Sequence, residues 1–283
     1  MATAPMGLRP GRVYMAGAPL LVAHRGGARL APENTMEAFR QAVELWEADI
    51  LELDVRLTAD GELVVIHDET VDRTTDGSGA VGHLAWDEVR ELDAGYRFQD
   101  LDGAFSFRGR GCGIPLFKEL LEELPRVRLN VDAKDPAAAA PLVELVHAMG
   151  AWNRVLLATE KEEGRAEPLG YRGPVGATRR QATRFYLLHR VPWLGALYTP
   201  RADALQVPFF WEGRQVTTPA FIRQAHRRNI PVHVWTIDDP GEMETLLDWK
   251  VDGIQSDRPD LLAEVLHRRA GRPAPPGLQD GMQ

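Results

Sequence analysis

The sequence predicts an α/β fold: a closed (β/α)₈ barrel of the TIM type, with a small insertion after a hairpin on its second strand. Three observations predict it. Eight short, nearly continuous apolar runs recur along the chain, as strands buried on both faces should. Helical patterns lie between most of them. Eight such repeats in about 250 residues favour closure over an open, doubly wound sheet. The runs are residues 20–24, 50–55, 127–133, 155–159, 174–178, 204–208, 231–236 and 253–257.

Taken in order, residues 1–18 form an arm without the apolar run of a signal peptide. The first strand ends in His24-Arg25-Gly26-Gly27. Asn34 and Glu37, three apart, read as a capping box opening a helix striped by Ala38, Phe39, Ala42, Val43 and Trp46. The second strand runs into a hairpin over residues 56–68. Taking Asp60-Gly61 as a two-residue loop puts His67 opposite Asp54 and Glu69 opposite Glu52. Residues 71–113, rich in Gly, Asp and Arg, lack the apolar periodicity of a domain and read as an insertion over one end of the barrel. A helix is expected over 219–228, with Phe221, Ile222 and Ala225 on one stripe. The barrel is expected to occupy 19–268, and the Pro- and Gly-rich residues 269–283 to be a disordered tail.

Composition narrows the function. A formal charge of −8 leaves no basic excess to neutralise a nucleic acid, or to hold the chain on anionic lipid by charge alone. The single cysteine, Cys112, permits no intrachain disulfide, implies no oxidising compartment and reads as incidental rather than nucleophilic. No stretch approaches the ~20 uncharged apolar residues of a membrane span, and the expected address is the cytoplasm.

In a barrel of this kind the reactive groups sit at the C-terminal ends of the strands. Those ends carry His24 and Arg25, then Glu52 and Asp54, two apart and so on one face, then Asn130, Asp132 and Lys134, then Trp235, and finally Ser256-Asp257. The hairpin returns His67 to the same place. The carboxylates Glu52, Asp54 and Asp132 suit a hard divalent cation, Mg²⁺ or Ca²⁺. The alternative is a structural ion network with Arg25 and Lys134. Against it, uncompensated carboxylates in a buried strand cost several kcal/mol each, which a cation offsets. His24 and His67, with ordinary pKa values near ~6.5, suit a general acid and a general base, while the other six histidines read as structural. Arg25 and Lys134 suit an anionic phosphodiester and the charge that builds on it. Trp235 walls the pocket or packs the barrel.

Taken together, His24-Arg25-Gly26, residues 31–35 (Ala-Pro-Glu-Asn-Thr), Glu52-Leu53-Asp54-Val55, Thr58-Ala59-Asp60-Gly61, and His67-Asp68 through Arg73-Thr74-Thr75 resemble the N-terminal signature of the glycerophosphodiester phosphodiesterases. The resemblance resumes at Asn130-Val131-Asp132-Ala133-Lys134 and from Val234-Trp235-Thr236 to Asp252-Gly253-Ile254. It implies metal ligation by Glu52, Asp54 and Asp132, acid–base roles for His24 and His67, phosphate contacts from Arg25 and Lys134, and a family insertion at 71–113. It also implies hydrolysis of glycerophosphodiesters to an alcohol and glycerol 3-phosphate, through attack of the glycerol 2-hydroxyl and a cyclic phosphate. Our assignment is His67 as base and His24 as acid. Two positions depart from the pattern: Asp132, where the family often has Glu, and Gln255, where an apolar residue is expected. Asp at 132 also resembles a branch acting on lysophospholipids. The apolar segment 185–198 reads first as a helix whose apolar side packs on the barrel, and alternatively as a lip that holds an acyl chain or touches a membrane transiently. The rival readings are a phospholipase D-like or phosphatidylinositol-cleaving barrel, and a non-catalytic binder of phospholipid head groups.

Overall fold

A strand that is apolar on both faces needs two partners. Here the inner faces close on one another and the outer faces take helices. The computed structural model describes residues 14–191 and 198–280. Its strands are β1 (Leu20–Ala23), β2 (Ile50–Leu57), β3 (Leu63–Val65), β4 (Arg128–Ala133), β5 (Val155–Ala158), β6 (Leu205–Pro208), β7 (Phe210–Trp211), β8 (Arg214–Gln215), β9 (Val232–Trp235) and β10 (Gly253–Ser256). The parallel order is β5-β4-β2-β1-β10-β9-β6. The predicted strand 174–178 supplies the remaining wall as two single parallel bridges, Leu157 to Val175 and Gly176 to Ala204. The Gly176 N–H donates to the Leu157 carbonyl (2.9 Å) and the Ala177 N–H to that of Ala204 (3.0 Å), which closes the ring. This wall is short because Pro174 has no N–H to donate and Thr178 already caps the next helix.

The helices are α1 (Met36–Glu44), α2 (Trp86–Val89), α3 (Phe117–Glu123), α4 (Ala139–Ala148), α5 (Arg179–Leu188), α6 (Pro219–His226), α7 (Pro240–Asp248), α8 (Pro259–Ala270) and α9 (Pro276–Asp280), and all but α2, which lies within residues 71–113, pack outside the ring. Alternation divides the core. Leu21, Leu53, Val131, Val207 and Val234 face the helices, whereas Leu20, Val22, Ile50, Leu156 and Ala204 form a separate cluster with Tyr14 and Met15. Residues one apart along a strand thus belong to different cores. Residues 71–113 carry a third small cluster, in which Val71, Val81, Val89 and Ala94 pack with Val64, Ile66 and Ile114.

Three local expectations need correction. The hairpin register is one residue off the expected one: Val55 pairs with Val65 and Leu57 with Leu63, so Ile66, not His67, meets Asp54. The loop is wider than two residues, with Thr58 N–H bonded to the Glu62 carbonyl and Gly61 left-handed at φ 88°. The cap of α1 is Thr35, whose hydroxyl accepts from Ala38 N–H, and Asn34 lies outside the helix at φ 59°. Finally, the described part of the tail is ordered. Arg269 and Ala270 finish α8, Arg272 pairs with Asp49 at 2.6 Å, and Gly277 N–H donates to the Leu45 carbonyl. Gly271, left-handed at φ 68°, stops α8, and Gly277 lies in close contact with Trp46.

Candidate active site

β1 ends in a tight turn in which Arg25, Gly26 and Gly27 are all left-handed (φ 49°, 83° and 97°). A Cβ at Gly26 would lie 2.7 Å from that of Ala38, and one at Gly27 2.8 Å from Pro259 Cγ, so the glycines admit α1 and α8 rather than a ligand. The turn delivers Arg25 N–H to Glu52 Oε2 at 3.0 Å and aims His24 across the rim. His24 Nδ1 lies 2.6 Å from Asp257 Oδ1 and its Nε2 3.8 Å from Glu52 Oε2. His67, half-buried just past β3, has the same arrangement, with Nδ1 2.7 Å from Asp68 Oδ1. A carboxylate on Nδ1 fixes the tautomer and leaves Nε2 to the pocket.

The two imidazoles differ in charge preference. Burial alone would lower the pKa of His24, but the carboxylates of Glu52 and Asp257 outweigh it and raise it. For His67 burial dominates the pull of Asp54 and Asp68, and its pKa falls.

Asp54 and Asp132 are partners in the β2–β4 ladder, so their side chains leave the sheet together. Lys134 Nζ sits between them, 2.8 Å from Asp54 and 2.6 Å from Asp132. Asp54 also meets Arg25 Nε at 3.3 Å and accepts from Asn34 Nδ2 at 2.9 Å. Burial would raise the Asp54 pKa; Lys134 and Arg25 hold it low. At Glu52 the pull of His24, Lys134 and the Arg25 N–H is outweighed. Burial, and then its neighbour Asp54, push it up to about 7. Asp132 is raised by burial as well. Trp235 is half-buried at the end of β9, on the same rim.

Among the described residues, no three His, Cys, Asp or Glu side chains are gathered around one point as a metal cage. The donor set nevertheless fits a hard cation. It offers three carboxylates, Glu52 is short of positive charge, and the buried Oδ1 of Asn130, the ladder partner of Glu52, has no hydrogen-bond partner among the described residues.

Sequence reasoning assigned no site role to Asp257, Asp68, Glu33 or Arg73, and gave Asn34 only a capping role. Asp257 was legible from its place at a strand end, and Asp68 from its adjacency to His67. The partners of Asn34, Glu33 and Arg73 are set by loops and could not be read. Cys112 is buried, and burial raises its thiol pKa to about 11, which suits the incidental reading. Of segment 185–198, residues 192–197 lie outside the described residues. Phe185 packs edge-on to Phe221 (5.1 Å between centroids), while Leu187 is exposed. No helix among the described residues is long and apolar enough to cross a membrane.

A closed parallel barrel with its ionisable groups gathered at the C-terminal rim is the architecture of a barrel enzyme. The pattern of the Glycerophosphoryl diester phosphodiesterase family matches residues 24–261. A probable glycerophosphodiester phosphodiesterase 2 of Mycobacterium tuberculosis is 36% identical over 89% of this chain and 92% of its own length. The crystal structure of glycerophosphodiester phosphodiesterase from Agrobacterium tumefaciens is 31% identical, with a TM-score of 0.70 over 87% of this chain and 99% of that one. An Oleispira antarctica phosphodiesterase, solved with the product sn-glycerol-3-phosphate, shares the fold at 22% identity, with a TM-score of 0.71 over 89% and 98% of the two chains. This chain belongs to the glycerophosphodiester phosphodiesterase family and is a phosphoric diester hydrolase.

Proposed function

We propose that the chain hydrolyses glycerophosphodiesters to an alcohol and glycerol 3-phosphate, with His67 as general base and His24 as general acid. The observation that carries this reading is the pair of rim imidazoles, each tied through Nδ1 to a carboxylate and pushed in opposite directions. Environments that drive two titratable groups apart separate the base from the acid. His67, favoured neutral, accepts at Nε2 the proton of the attacking hydroxyl. By family resemblance that hydroxyl is the glycerol 2-OH, and water later opens the cyclic phosphate. His24, favoured protonated, delivers the Nε2 proton to the departing alkoxide as the P–O bond breaks. Arg25 and Lys134 hold the non-bridging oxygens, and Trp235 walls the alcohol side. Glu52, Asp54 and Asp132 would hold a divalent cation, Mg²⁺ or Ca²⁺, which supplies Lewis-acid polarisation of the phosphoryl group.

Asn at either histidine should lower turnover of glycerophosphocholine at least ~10²-fold. A p-nitrophenyl glycerophosphodiester, whose leaving group needs no proton, should restore His24→Asn and not His67→Asn. Rescue of His67→Asn instead would reverse the roles, and near-normal turnover of both variants would remove the reading. The cation is tested by chelation and by return of activity with Mg²⁺ or Ca²⁺. Comparison with a long-chain lysophosphatidylcholine tests the acyl-chain alternative, which a strong preference for the short substrate would eliminate.

A further inference from the structure

We infer that Arg73 and Glu33 are positioning residues, forming a strut that aims His67 (through Asp68) and Arg25 at one phosphodiester. The inference rests on the reading of His67 as base. The contacts form an unbroken chain of alternating charge. His67 Nδ1 meets Asp68 Oδ1 at 2.7 Å, and Asp68 Oδ2 accepts from Arg73 Nε at 2.5 Å. Arg73 Nη1 and Nη2 donate to the two oxygens of Glu33 at 2.7 and 2.8 Å. Glu33 Oε1 also accepts from Arg25 Nη1 at 2.9 Å. Glu33 stands on the loop after β1 and Arg73 at the start of the insertion, so the strut joins two loops that share no strand pairing.

An isolated exposed ion pair would fix little, and the Arg73 side chain is 48% exposed. What differs here is the planar fork, which holds a carboxylate from each loop through three hydrogen bonds that a single ammonium could not span. Among the described residues, the Asp68 side chain bonds only to His67 and Arg73. Without Arg73 the Asp68 carboxylate is free to leave Nδ1, and the imidazole is then free to take the tautomer that cannot accept at Nε2.

The test is Arg73→Gln and Arg73→Lys in the full chain, assayed on glycerophosphocholine. We expect kcat to fall about 10-fold or more in both, since outer partners of a working imidazole carry effects of that size. KM should stay within about twofold, because Glu33 keeps its own bond to Arg25. The His67 Nδ1–H proton resonance should move upfield in Arg73→Gln, which a merely structural role would not produce in a folded variant. In an Asp68→Asn background, Arg73→Gln should cost less than it does alone, since the arm to His67 is already lost and only the arm to Glu33 remains. Unchanged kcat, a rise in KM alone, an unmoved resonance, or full additivity with Asp68→Asn would each overturn the strut. Should Arg73→Gln not fold, Glu33→Gln probes it from the other end, with kcat expected to fall and KM to rise as Arg25 loosens; wild-type values for both would overturn it. His67→Asn in parallel separates the two claims: a retained rate there refutes the base, whereas loss there with a normal Arg73→Gln refutes only the strut.

Discussion

The two ends of the barrel treat charge in opposite ways. At the N-terminal end Asp49 accepts from Leu21 N–H (2.8 Å) and pairs with both Arg128 (3.3 Å) and Arg272 (2.6 Å). Arg128 in turn donates to the carbonyls of Tyr14 and Ala16, and the Tyr14 hydroxyl donates to the Leu129 carbonyl at 2.9 Å, plugging the lumen. One carboxylate there has two cations. At the C-terminal rim three carboxylates share Lys134 and Arg25, and Glu52 is left with its pKa pushed up to about 7 by burial and Asp54. At the plug the carboxylate is fully paired, with cations to spare. At the rim carboxylates outnumber their cations, which marks the surface where chemistry is proposed, because a buried carboxylate short of positive charge is what a divalent cation would satisfy.

The largest test of this contrast is Glu52→Gln. Its activity should fall at least about 10²-fold, while in chelated protein above pH 7 its melting temperature should exceed that of the parent. A folded-state pKa above the ordinary carboxylate value means that Glu52 stabilises below about 4.5 and loses that stabilisation as pH rises through about 7. A lower melting temperature for the variant would show that the rim is already neutral. Next comes His233, wholly buried in the lower barrel, whose ring nitrogens have no partner among the described residues. Burial, with Arg128 nearby, lowers its pKa to about 4. The unfolded chain therefore takes up the proton first, and stability that is complete above about 6.5 falls with pH down to about 4. The loss amounts to about 3 kcal/mol. His233→Leu should flatten that limb in urea melts between those pH values; an unchanged slope would place the acid sensitivity elsewhere. The smallest effect is Asp49→Asn, which leaves Arg128 and Arg272 without their carboxylate. It should cost about 2 kcal/mol in denaturant titration, less than a fully buried pair because the partners touch solvent, with activity per folded molecule unchanged. A loss of activity at constant stability would blur the distinction between the two ends.

Much of this was legible in the chain. The eight apolar runs became the eight walls because a strand buried on both faces has a nearly continuous hydrophobic signature that few other elements share. Glu52 with Asp54, and Asp132 with Lys134, could be placed on one face from their spacing of two. The same spacing rule failed at the hairpin, where a loop one residue wider than expected shifted the register and set Ile66 opposite Asp54. The tail was misread because its Pro and Gly content is equally that of disorder and of a chain turning back to be packed. Its order comes from Asp49 and Leu45, more than two hundred residues away in sequence.

The sequence by itself determined the barrel, the polar residues at its strand ends and the family, since each depends on local periodicity or on residue types at short spacing. Tertiary structure alone decided that Asp257 holds His24, that Lys134 reaches Asp54 as well as Asp132, and that Glu33 joins Arg25 to Arg73. Each of these joins segments distant along the chain, and the charge on a buried group depends on everything packed around it, which no spacing in one dimension encodes.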